Sequence, residues 1–105
     1  MPKVHTLKTD PIPFQETADD IKNNEVRYND RGYHVGDYLI LRQTVSTGEE
    51  MAQGLVDHPL EYTGSHLLCR ITHIHYYQGM KDNWKVLSHT VLDKLLPSGV
   101  EYIDG

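Results

Sequence analysis

The sequence predicts an α+β domain: a curled sheet or open barrel of about five strands with one short helix near the N-terminus. Three observations carry this. Short segments of alternating or continuous apolar character recur along the chain, each bounded by Gly, Pro, Asn or Asp. Only one early stretch shows helical spacing, and no internal repeat or low-complexity segment interrupts the pattern. At 105 residues the chain has room for one core, so residues 1–105 are read as a single domain.

The elements follow in order. Lys3 to Thr9 alternates Val4 with His5 and reads as a first strand. Asp10 is placed to cap a helix that has Pro11 at its first position. Phe14, Thr17, Ala18 and Ile21 then take the i, i+3, i+4, i+7 spacing of a buried stripe, and the helix is expected to end near Lys22 or Asn23. Glu25 to Asn29 reads as a strand, followed by a turn through Asp30, Arg31 and Gly32. Gly36-Asp37 marks a turn into an apolar strand, Tyr38 to Thr44. Val45 to Glu61 shows no sustained period and is expected to be a long functional or mobile loop. Ser65 to Tyr76 and Trp84 to Val91 complete the strands, and residues 92–105 read as a turn of helix and a tail.

Composition narrows the function classes. A hydrophobic content of 38% with 24% charged residues fits a folded globular protein and excludes wholesale disorder. No run approaches the ~18 apolar residues of a membrane helix, so no membrane partner is expected. The N-terminal MPKVHTLKTD lacks the apolar core of a signal peptide, and a cytoplasmic location is the expectation. The lone Cys69 has no internal disulfide partner, consistent with a reducing compartment, and its apolar neighbours predict a buried, inert thiol. A net charge of −5 excludes a general nucleic-acid coating protein, whose affinity comes from neutralising phosphates. The charge is uneven, however. Four bases and three acids lie between Lys22 and Arg42, whereas residues 46–61 hold Glu49, Glu50, Asp57 and Glu61 with no base.

Two constellations give little. His73-Thr-His75, with His66 on the same strand, puts two imidazoles on one face, but spacing supplies no third ligand. Ordinary surface histidines are the better reading, and no metal or cofactor is expected. No glycine-rich phosphate loop and no nucleophile elbow are present. The informative stretch is NNEVRYNDRGYHVGD, Asn23 to Asp37. Successive strand side chains point to opposite faces, so Glu25, Arg27, Asn29 and Arg31 share one parity and Val26 and Tyr28 the other. With Lys22 and Asp30 they place six polar groups at one mouth of the sheet. A solvated edge strand held by weak ion pairs is the bland alternative. Nearby tyrosines (Tyr28, Tyr33, Tyr62, Tyr76, Tyr77) and directional Asn, Asp and Arg groups favour a ligand instead. The reading requires Val26 and Tyr28 to be buried, Arg27 and Asn29 to face a cleft, and Glu25 to lie within salt-bridge reach of Lys22 or Arg27.

The ordered pieces His5-x-Leu7-Lys8, Pro11 to Phe14, Lys22-x-x-Glu25-x-Arg27-x-Asn29-Asp30-Arg31, Val35-Gly36-Asp37, Tyr62-Thr63-Gly64 and the final strand resemble the ASCH-like branch of the PUA-like superfamily, in particular small bacterial and phage proteins. The resemblance spans about residues 5–89. It implies a small PUA-like β-barrel with a flanking helix and a cleft beside that helix facing RNA or a nucleotide-like ligand. It also implies Lys8, Lys22, Glu25, Arg27, Asn29, Asp30 and Arg31 as cleft residues. The chain departs from the group twice. Asp20 stands where those proteins generally have Gly, which alters the expected helix exit. Glu25 stands where some relatives, which hydrolyse an acetylated cytidine, have Thr, and a carboxylate does not replace a hydroxyl nucleophile. The expected function is therefore RNA or nucleotide binding, with Lys8, Arg27, Asn29, Asp30 and Arg31 as ligand contacts. The alternatives are a hydrolase of a modified nucleoside or RNA, with Lys22 as electrophilic stabiliser and Glu25 as general base, or a phage-encoded interaction module using the acidic Val45–Glu61 segment. Ligand identity and oligomeric state stay open.

Overall fold

A computed structural model describes residues 2–29, 31–53 and 61–95. Within them, strands β1 (Val4–Thr9), β2 (Asn24–Tyr28), β3 (Tyr38–Thr44), β4 (Tyr62–His75) and β5 (Trp84–Leu95) form one sheet, with helices α1 (Pro11–Ala18) and α2 (Gly48–Ala52). The order across the sheet is β1-β3-β4-β5-β2; β1 runs parallel to β3 and every other pair is antiparallel. The sheet curls into a half-barrel, which bears out the α+β class and leaves β1 and β2 as its two edges.

The concave face carries the core. Leu7, Leu39, Leu41, Leu67, Cys69, Ile71 and Leu87 are buried there, and α1 closes over it with Phe14, Thr17 and Ala18. Each large apolar side chain so buried contributes about 1.5–3 kcal/mol. The thiol of Cys69 is inert as expected: burial, with the Glu25 charge adding to it, pushes it up to about 12.

Several expectations are corrected. Asp10 occupies the N-cap position of α1 but makes no capping bond; its Oδ1 accepts from Gly48 N at 3.0 Å, tying α1 to α2. The apolar stripe stops at Ala18, and Ile21 is exposed. The reason is the helix exit. Ile21 N donates to Glu16 O (2.8 Å) and Asp20 N to Thr17 O (3.2 Å), the bond pair of a Schellman ending, with Asp20 left-handed at φ 61°. The position that departs from glycine thus keeps the backbone glycine would supply. Asp20→Gly is expected to raise stability by about 0.5–1 kcal/mol, the left-handed cost less the added freedom of the unfolded chain. A urea midpoint that stays put or falls would contradict this.

The expected tail begins late, because residues 92–95 continue β5, and Asp93 to Leu95 pair with Leu68 to His66 of β4. The expected loop from Val45 holds α2, while residues 54–60 lie outside the described residues, as do 96–105. The most consequential correction concerns β2. Val26 is 51% and Tyr28 46% exposed, whereas Glu25 is buried at 4%. Alternation reveals which residues share a face and not which face lies inside. Glu25 sits directly opposite Leu87 and shares its inward face, leaving Val26, opposite Val86, on the other side. The conditions that Val26 and Tyr28 be buried both fail, and with them the expected facing of β2, although Arg27 does line a concavity.

Candidate functional site

The site lies at the seam between the two sheet edges. Lys3 O accepts from Tyr38 N, so the odd-numbered carbonyls of β1 point toward β3 and the even-numbered ones toward the free edge. Such an edge is a row of open hydrogen-bonding groups. Two arginines from the opposite rim reach it: Arg27 Nη2 donates to Lys8 O at 2.7 Å and Arg31 Nη1 to Thr6 O at 2.6 Å. The seam is thereby closed by guanidinium groups rather than by strand pairing.

Behind Arg27 sits Glu25. Its Oε1 is 3.6 Å from Lys22 Nζ and 3.9 Å from His89 Nε2, and its Oε2 is 3.7 Å from Arg27 Nη2. The expected pairing of Glu25 is present with both cations. Burial by itself would raise the Glu25 carboxyl; the nearness of His89 and then the charges of Lys22 and Arg27 outweigh it and hold the group below its ordinary 4.5. None of these contacts is a close hydrogen bond to Oε1. Glu25 Oε1, Thr9 Oγ1 and both ring nitrogens of His89 are buried without one among the described residues.

Two depressions flank Arg27. One, of ≈ 310 Å³, runs beside α1 and is lined by Lys8, Thr9, Asp10, Pro13, Lys22, Glu25, Val26 and Arg27. The other, of ≈ 300 Å³, holds Arg27 and Arg31 with Tyr28, Trp84, Tyr33, Leu7 and Val26. Tyr28 and Trp84 face each other edge-on, centroids 6.0 Å apart, and Trp84 is 37% exposed. Polar groups thus sit on one side of the arginine and accessible rings on the other.

The structure brings together Lys8, Lys22, Glu25, Arg27 and Arg31. Asn29 is turned to another task, its Oδ1 accepting from Tyr33 N at 2.9 Å, and it lines neither depression. Asp30 lies outside the described residues. Of the tyrosines, Tyr28 and Tyr33 reach the seam; Tyr62 lies under Arg42 and Tyr76 under Lys85. Sequence reasoning missed Trp84 and His89 as site residues, because cross-strand pairing brings them to β2 and no local spacing announces it. His73 and His75 pack ring against ring at 3.9 Å, and among the described residues no three His, Cys, Asp or Glu side chains group to hold a metal. Among the same residues, no helix is long and apolar enough to cross a membrane.

Fold and seam together define an α+β half-barrel with a cationic cleft between its edges. The chain belongs to the family described as a domain of unknown function, DUF3850, which matches residues 4–89 and so takes in every seam residue from Lys8 to His89. A comparison with curated proteins gave no match.

Proposed function

We propose that this protein binds RNA or a nucleotide-like ligand in the seam, as a PUA-like domain of ASCH type working in the cytoplasm. One observation carries the reading: an exposed Tyr28–Trp84 ring pair shares a depression with Arg27 and Arg31. Rings that stack bases beside guanidinium groups that take phosphate are the two components of single-strand recognition. The carbonyl ties leave each guanidinium further donors, since it carries five N–H groups. The net charge of −5 discourages indiscriminate attraction to polyanions, so binding depends on this local geometry.

Trp84 is the only tryptophan, and its fluorescence reports directly on the seam. Titration with short single-stranded RNAs is expected to quench it. Tyr28→Ala is expected to weaken binding by about 1–3 kcal/mol, the worth of one stacked base, with little change in thermal midpoint because the ring is half exposed. Unchanged affinity in Tyr28→Ala would remove the stacking half of the reading. The hydrolase reading has Lys22 within 3.6 Å of a buried Glu25 in its favour. A carboxyl held below its ordinary range is a weak general base at neutral pH, which places that reading second.

A further inference from the structure

The convex face of the sheet carries further rings, and strand register fixes where they lie. His75 pairs with Val86 and Val86 with Val26, so these three share one face of β4, β5 and β2. That face is turned from the core, because Ile74, Leu87 and Glu25, of the opposite parity, are the inward set. Two residues along, Trp84 pairs with Tyr28; two the other way, Ser88 pairs with His73 and Asn24. His73 and His75 pack ring to ring, Tyr77 stacks on His75 at 5.4 Å and 14°, and Trp84 meets Tyr28 edge-on. Tyr77 is held at the backbone by Met80, whose N donates to Tyr77 O at 3.1 Å, yet the residue stays 55% exposed. Rings and valines left together in water mark a contact surface.

Charge identifies the occupant. The chain has fifteen acidic residues, but from the Arg70–Thr90 pair to the Trp84–Tyr28 pair this face of β4, β5 and β2 holds none among the described residues. The adjoining turn adds one base and one acid, Lys81 and Asp82, which cancel. Arg70 stands at one end of the face, and Arg27 and Arg31 share a depression with Tyr28 and Trp84 at the other. We infer that single-stranded RNA bound in the seam continues over this convex face, one base on the Trp84–Tyr28 pair and the next on Tyr77, whose ring His75 supports. The inference rests on the nucleotide reading above and extends it. Rings between cations suit a polyanion whose bases turn toward the sheet, and stacking accepts any base, so strand length rather than sequence sets affinity here. A second copy is the competing occupant. Two such faces pressed together would leave Arg70 opposite a surface with no carboxylate to pair with it.

The test follows Trp84 fluorescence while 5′-phosphorylated oligouridylates of two, four and six nucleotides are titrated into wild type, Tyr77→Ala, Tyr77→Phe and Tyr28→Ala at one salt concentration. Wild type is expected to bind the six-nucleotide strand at least about tenfold more tightly than the dinucleotide. Tyr77→Ala is expected to lose about tenfold on the six-nucleotide strand and less than about twofold on the dinucleotide. Tyr77→Phe keeps the ring and is expected to bind as wild type does, while Tyr28→Ala weakens both lengths. Because Tyr77 is exposed, its variants are expected to keep the wild-type thermal midpoint. Equal affinity of Tyr77→Ala and wild type for the six-nucleotide strand would overturn this inference while leaving binding at the seam intact. So would sedimentation showing wild type alone as a dimer that Tyr77→Ala returns to monomer, since the face would then belong to a second copy. Binding of no strand by wild type would overturn the nucleotide reading, and this inference with it.

Discussion

Asp37→Ala is expected to cost about 3 kcal/mol of stability, the lower end for breaking a buried charged contact. Asp37 is 3% exposed and holds three donors. Its Oδ2 accepts from His5 Nε2 at 2.8 Å and His34 N at 3.1 Å, and its Oδ1 accepts from Lys3 N at 3.0 Å. Alanine strands the buried His5 ring and unties the start of β1 from the turn before β3. The Lys3 and His34 amides are only part-buried and rehydrate, which keeps the loss off the top of the range. The same contacts set an acid limit. Burial opposes ionisation of Asp37, but the bonds from His5, Lys3 and His34 outweigh it and bring the carboxyl from 3.8 down to about 2. A depressed carboxyl contributes its full stability above its unfolded value and loses it as pH falls through the folded one. Wild type is therefore expected to lose this contribution between about pH 4 and pH 2, and the variant to show a shallower acid decline. Urea unfolding at neutral pH and across that window measures both. A neutral-pH loss under about 1 kcal/mol would mean that the contact is worth no more than a solvent-exposed ion pair.

The second large effect is on binding. Arg27→Ala combined with Arg31→Ala is expected to weaken RNA affinity by about 100-fold or more, since each charge-assisted phosphate contact is worth roughly 1.5–3 kcal/mol. From sequence alone these changes would leave stability nearly unmoved, as exposed pairs do. The structure changes that expectation. The two side chains hold Lys8 O and Thr6 O across the seam, and Arg27 also faces Glu25. The double variant is accordingly expected to lose about 2 kcal/mol of stability, about 1 per tie. Each single variant separates the contributions, and Lys3→Ala, which keeps the backbone bond to Asp37, controls for loss of positive charge. Affinity unchanged in both single variants would show that the arginines serve only to close the barrel.

The parts of this architecture written locally were legible. Pro11 at the start of α1, the Phe14–Thr17–Ala18 stripe, and the bounds of β3 all follow from short-range spacing. The polar parity Glu25–Arg27 with Lys22 was legible as a cluster, because strand alternation and three-residue separation are local geometry. Which side of β2 faces inward was not. Apolar residues are usually buried, and that habit pointed to Val26; the decision came from Leu87 and His89 on β5, which give Glu25 an inward neighbour and a partner. Gly36-Asp37 reads as a plain turn in sequence, with Gly36 at φ 94°, and only the approach of His5 from β1 shows that Asp37 also anchors the core. The role of Arg27 and Arg31 at the seam was out of reach for the same reason: the carbonyls they hold become an edge only when the sheet curls.

The claim that this seam takes nucleic acid is tested most directly by the salt dependence of binding. The measurement is the affinity of wild type, Arg31→Ala and Lys3→Ala for one short single-stranded RNA across a series of salt concentrations. Phosphate contacts release counterions, so the logarithm of the affinity should fall linearly with the logarithm of salt, with a slope of about −0.7 per contact for a single strand. The account predicts a clear negative slope for wild type and Lys3→Ala, and a slope shallower by about one contact for Arg31→Ala. No measurable binding at low salt, or a slope identical in all three proteins, would contradict it.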